Sequence, residues 1–142
     1  MKQTWIDSLV VALAFSFPMS AYAEDLANKW AGTYSCKETN FVTVKRLTFT
    51  KEKDGSIKIR GALVGFPDEV SIGEATAEPY AGRGSTDPDT LLASFSSDKY
   101  KPFMVIKPAT FDTHIQSLVF TCYMKDVNGA KVHINGSLKR EP

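Results

Sequence analysis

From Trp30 onward, apolar and polar residues alternate in short runs, broken every ten or so residues by Gly, Asp, Asn or Pro. This is the pattern of antiparallel strands half buried on a core. Eight strands are expected, over residues 30–36, 42–50, 56–64, 70–77, 91–95, 103–107, 115–125 and 131–138. Two hairpins are marked by Lys53-Asp54-Gly55 and Asn128-Gly129, whose residues tolerate positive φ. In the last strand Val132, Ile134 and Leu138 share one face, while Lys131, His133, Asn135, Ser137 and Lys139 share the other. In the second strand the apolar parity changes from Val42 and Val44 to Leu47 and Phe49 across Lys45-Arg46, which predicts a bulge or sharp bend. Residues 117–124 carry apolar side chains on both faces, so that strand is expected to be covered on both sides or to border a ligand space. Over 87–100 a strand competes with a helix capped by Asp87 and begun by Pro88. The stretch 78–90, rich in Gly, Pro, Asp and Ser, is expected to be an exposed loop. The fold class is all-β: an antiparallel barrel, or flattened barrel, of about eight strands.

The N-terminus has another character. Lys2, an apolar run over 9–17, Pro18 and the small-x-small Ala21-Tyr22-Ala23 form a secretory signal, with Asp7 an atypical acid in the charged region. The run is too short to span a bilayer. The expected organisation is a signal peptide, 1–23, and a single domain, 24–142, in a periplasmic or secreted protein with no transmembrane span. Removing 23 residues from 142 leaves 119, enough for one core. Cys36 and Cys122 would then meet an oxidising compartment, and a disulfide between them is expected. On the chain-entropy argument so long a loop contributes about 4 kcal/mol. One obstacle stands in the topology. In an up-and-down barrel the two cysteine strands are separated by a third, roughly 9–10 Å of sheet, whereas a disulfide needs Cα atoms within about 7 Å. The bridge therefore requires a flattened or bent barrel, or a different pairing of the first strand.

Composition is that of an ordinary globular domain, 43% hydrophobic and 23% charged, and the net charge of +1 gives no global bias toward nucleic acid or anionic membranes. The distribution is uneven. Residues 41–60 hold six basic side chains against two acidic ones, and residues 66–90 hold six acidic against one basic. Either the two segments neutralise each other, or an acidic loop carrying Glu78, Tyr80, Arg83 and Asp87 meets a basic protein partner. Signals for catalysis are sparse. The only histidines, His114 and His133, sit in no metal-ligand spacing, no G-x-S-x-G elbow is present, and Gly82-Arg83-Gly84-Ser85 is too short for a phosphate cradle. A non-enzymatic protein without cofactor or metal is expected.

The opening Asp25-Leu26-Ala27-Asn28-Lys29-Trp30-Ala31-Gly32-Thr33-Tyr34 resembles that of lipocalin-like (calycin) barrels, in which a helical turn leads into a first strand bearing a Trp at the closed end. The family's G-x-W is here reversed, Trp30-x-Gly32, and Arg140 stands where the family places a basic residue over the Trp. The resemblance implies a barrel holding a small apolar or amphipathic ligand, with Trp30, Tyr34, Phe49, Ile57, Ile59, Leu118 and Phe120 as inward candidates that equally serve as core. Tyr34-Ser35-Cys36 with Cys122 also resembles the outline of periplasmic lysozyme inhibitors, which implies a protein inhibitor or host-interaction module acting through surface loops.

Overall fold

The computed structural model describes residues 26–37, 43–66, 68–82, 85–126 and 128–142. The expected signal at 1–23 lies outside them. A single helical turn over 26–30, closed by the Ala31 N–H donating to the Ala27 carbonyl at 2.9 Å, leads into nine strands. These are β1 (Gly32–Ser35), β2 (Thr43–Lys51), β3 (Ile57–Phe66), β4 (Asp68–Thr76), β5 (Glu78–Gly82), β6 (Ser85–Ser94), β7 (Phe103–Phe111), β8 (Ile115–Lys125) and β9 (Lys131–Arg140). They form one antiparallel sheet in the order β4-β3-β2-β1-β9-β8-β7-β6-β5, which curls into a nearly closed barrel.

Nine strands stand where eight are expected, because the predicted loop 78–90 is instead the β5–β6 hairpin. Its prolines, Pro79 and Pro88, belong to segments at the sheet margin, where a missing N–H is tolerated. Only Ala77 separates β4 from β5. The Ser96 N–H donates to the Glu74 carbonyl at 2.9 Å and the Ser97 N–H to the Ile72 carbonyl at 3.2 Å, while Glu78 pairs with Leu92. One antiparallel register thus runs along β4 and β5 against β6 and its extension, and the bent pair draws the two edges of the sheet together. Gly73 makes this seam possible: its φ is +86°, and a Cβ there would lie 2.2 Å from Ser96 Oγ.

The local expectations are met where local chemistry decides them. At the β2–β3 turn the Glu52 N–H donates to the Ser56 carbonyl, and the Asp54 carboxylate accepts from the Ser56 N–H and hydroxyl. These two bonds hold the Asp54 carboxyl below its usual range. At the β8–β9 turn Asp126 accepts in the same way from Asn128 and Ala130. The β2 register shifts between Val44 and Arg46, so Val44, Leu47 and Phe49 all point into the core. Residues 91–94 are strand, paired with β7.

The disulfide is not formed; both cysteines are free thiols. The register gives the reason. Ser35 pairs with Lys139, and Lys139 pairs with Ser117, so the next β1 position, Cys36, is level with Leu118. Cys122 lies four residues further along β8, roughly 13 Å away along the strand and two strand spacings across. No flattening of the barrel brings such positions within bonding reach.

Candidate functional site

At the closed end of the barrel the helical turn delivers Trp30 into the core, where it stacks on Phe49 with centroids 5.1 Å apart. Tyr34 meets the Phe49 ring edge-on at 5.2 Å, and its hydroxyl donates to the Trp30 carbonyl at 2.8 Å. Arg140 at the end of β9 closes this plug. Its Nε donates to the Ile115 carbonyl at 2.6 Å, one Nη to the Ala31 carbonyl at 2.7 Å, and the other Nη to Tyr34 Oη at 2.7 Å. The expected contact of Arg140 with Trp30 is replaced by one with Tyr34, over whose ring the guanidinium sits at 4.9 Å. Gly32, at φ +142°, is required because a Cβ there would lie 2.2 Å from an Arg140 nitrogen. Burial pushes the Tyr34 phenol up to about 12, although Arg140 opposes the shift. The arrangement ties helical turn, β1, β8 and β9 together, with Arg140 and Tyr34 bonded to each other and to backbone carbonyls.

The other inward candidates, Ile57, Ile59, Leu118 and Phe120, are buried with Trp30, Tyr34 and Phe49 in one hydrophobic cluster that also includes Ile72, Leu91, Met104 and Ile106. Trp30 Nε1 is the one buried side-chain polar atom without a hydrogen-bond partner among the described residues. Cys122 belongs to the same cluster, and burial pushes its thiol up to about 12, which suits packing and not nucleophilic chemistry. Cys36 donates to the Val44 carbonyl at 3.5 Å.

Two acids of the acidic segment, Glu69 and Glu74, are committed to basic neighbours. Arg46 grips Glu69 through two bonds of 2.9 and 3.0 Å, and Arg60 Nε donates to Glu74 at 2.8 Å. Lys58 lies 3.7 Å from Glu74 and 4.0 Å from Glu52. The Arg46 bonds hold the Glu69 carboxyl below the usual carboxylate range. Mutual neutralisation, the plainer of the two expectations, thus holds on the β2–β4 face. Of the expected partner loop, Glu78 and Tyr80 are exposed on β5, Arg83 lies outside the described residues, and Asp87 belongs to β6. Both histidines are exposed.

A different surface emerges on β7, β8 and β9. Inward positions of β8 alternate cleanly with outward ones, so Leu118, Phe120, Cys122 and Met124 enter the core. Val119 and Tyr123 point out and are 41% and 50% exposed. Of the two alternatives expected for this strand, covered on both sides or bordering a ligand space, the first is not met among the described residues. Register assembles what the sequence scatters: Phe103 pairs with Tyr123, and Tyr123 with His133, with ring centroids 6.4 and 6.2 Å apart. A shallow cleft of about 330 Å³ is lined here by Lys101, Phe103, Tyr123, Lys125, Lys131 and Val132 together with Met124 and His133. A second, of about 300 Å³, continues along the same strands past Val105, Lys107, Val119 and Asn135. Lys101, Lys107, Lys125 and Lys131 form no ion pair among the described residues, in contrast to the cations of the β2–β4 face. No helix among the described residues is long and apolar enough to cross a membrane, and no group of three or more His, Cys, Asp and Glu side chains there could hold a metal.

Compared with known proteins, the sequence matches no family model and no curated protein. The barrel is compatible with a lipocalin-like architecture, and that likeness is one of fold.

Proposed function

We propose that this chain is an exported, non-enzymatic binding protein that engages its partner through its outer surface, with the barrel serving as a rigid scaffold. The observation that carries this reading is the division of its aromatic residues. Trp30, Tyr34 and Phe49 are consumed in the plug, while Phe103, Tyr123 and His133 form an exposed row beside lysines that make no ion pair among the described residues. Exposed apolar patches with a polar rim mark interaction sites on soluble domains. The acidic β5 edge, with Glu78 and Tyr80, is a weaker candidate, because Glu69 and Glu74 of the same acidic segment are already paired.

A second reading keeps a small apolar ligand inside the barrel, and the unpartnered Trp30 N–H supports it. Native mass spectrometry of protein recovered from its export compartment, before any detergent or refolding, separates the two. The surface reading expects the bare polypeptide mass. A reproducible, extractable added mass, lost when Trp30 is changed to Phe, supports the interior ligand instead.

A further inference from the structure

We infer that the outer face of β7–β9 docks on an anionic phospholipid surface, an inference that rests on the surface reading above and names its partner. Three features meet on this face. Phe103, Val119 and Tyr123 point outward and are 36%, 41% and 50% exposed, and Val132, of inward parity near the end of β9, is 38% exposed in the lining of the same cleft, a concentration of apolar area on one side of the barrel. Lys101, Lys125 and Lys131 surround Phe103 and Tyr123 in a single cleft, and Lys107 extends the basic margin along β7. The acids next to this face in sequence are few: Asp126 follows Lys125 and accepts from the Asn128 and Ala130 amides of the β8–β9 turn, and Asp98 precedes Lys99.

The chemistry of these cations favours lipid over protein. Protein interfaces enrich Arg and deplete Lys, and every fixed cation on this face is Lys. Lysine stems lie along apolar surface while their ammonium groups reach outward. Aromatic rings with a polar edge sit well at headgroup level, and juxtamembrane lysines are each drawn to anionic lipid. The clefts are shallow, so the face fits a plane better than an inserted helix or loop. It lies over a buried, regularly paired part of the sheet, and contact with a bilayer requires no strand to move.

The test is sedimentation with vesicles of phosphatidylcholine alone and of phosphatidylcholine with phosphatidylglycerol, using protein recovered after export, its N-terminus established by mass so that no uncleaved apolar leader contributes. Binding is expected to the anionic vesicles only, and to weaken with salt. The triple variant K101Q/K125Q/K131Q is expected to bind about 100-fold more weakly, from the contribution of each lysine near an anionic surface. Tyr123→Ser should weaken it several-fold. All four residues are exposed or half-buried, so circular dichroism and the melting temperature should stay unchanged. A control that removes the same charge from the opposite face, R46Q/K58Q/R60Q, should leave binding within about twofold. Equal loss in both triple variants overturns the assignment to this face, as does equal binding to neutral vesicles. Absence of vesicle binding overturns the lipid partner. In that case, salt-sensitive retention on immobilised polyglutamate, lost in K101Q/K125Q/K131Q, keeps the surface reading and gives the face to an acidic polypeptide. No retention, together with an extractable interior ligand, removes the surface reading as well.

Discussion

Arg140→Lys keeps a positive charge at the closed end and removes the planar fork that serves it. In the native barrel three part-buried bonds leave this guanidinium, to the Ile115 and Ala31 carbonyls and to Tyr34 Oη, at 2.6, 2.7 and 2.7 Å. A fourth, to the Lys29 carbonyl at 3.3 Å, is exposed and is given no weight. A hydrogen bond from a charged donor is worth about 1.5–3 kcal/mol when buried, and partial exposure reduces this to about 1–1.5 kcal/mol each. A lysine ammonium on a flexible stem can replace one of the three, which run in different directions. The expected loss is therefore about 2–3 kcal/mol, and about 3–4 kcal/mol for Arg140→Ala, which forfeits all three and the stacking on Tyr34. Urea unfolding followed by tryptophan fluorescence measures this directly, since Trp30 is part of the plug. With a denaturant slope of about 1–3 kcal/mol per molar for a domain of this size, the midpoint should fall by roughly 1–2 M. Arg140→Lys within about 0.5 kcal/mol of the parent would refute the claim that the fork geometry, and not the charge, closes the barrel.

Further outcomes follow from the same geometry. Burial pushes the Tyr34 phenol up from its ordinary value of 10.0 to about 12, so the stability it confers is complete below pH 10 and is lost as pH rises toward 12. Tyr34→Phe should flatten the decline of stability between those limits when paired pH-dependent melts are compared. Intact-mass analysis after iodoacetamide under native conditions near pH 8 should find Cys36 modified well before Cys122, whose thiol is buried and pushed up to about 12. Two alkylated cysteines after unfolding without reductant are expected, and a mass 2 Da lower that resists alkylation would instead reveal a bridge. Gly73→Ala should destabilise by about 2 kcal/mol or more, because its Cβ would meet Ser96 Oγ at 2.2 Å at a φ of +86°; a neutral melting-temperature change would argue against the seam. Glu69→Gln, by contrast, should cost under about 0.5 kcal/mol in the same melts, since the ion pair with Arg46 is exposed on both sides.

The sequence by itself determined those features that a few neighbouring residues decide. Asp54-Gly55 and Asn128-Gly129 specified their turns because an aspartate, Asp54 in the first and Asp126 in the second, bonds the local amides and glycine accepts the φ required. The Lys45-Arg46 interruption specified a bulge because the side-chain period of a strand is two and no other device restores Leu47 and Phe49 to the core. The alternation in β9 likewise fixed which face met water, although Val132, at the end of its strand, is more exposed than its parity suggests. Beyond that range the signals were ambiguous. Pro79, Gly82 and Pro88 read as loop, and only the barrel's margin, where some N–H groups need no partner, lets them form β5 and β6. The cysteines read as a pair, and only the register along β1, β9 and β8 sets them too far apart. For the candidate site the sequence supplied one clue, the apolar residues on both faces of β8, and nothing to say whether the outer face is covered. The tertiary structure decided that Phe103, Tyr123 and His133 stand in one row, and that Lys101, Lys125 and Lys131 border it. It also decided that Arg46 of β2 and Lys58 and Arg60 of β3 face glutamates of β4. A net charge near zero conceals this division, because pairing depends on strand order, which composition does not record.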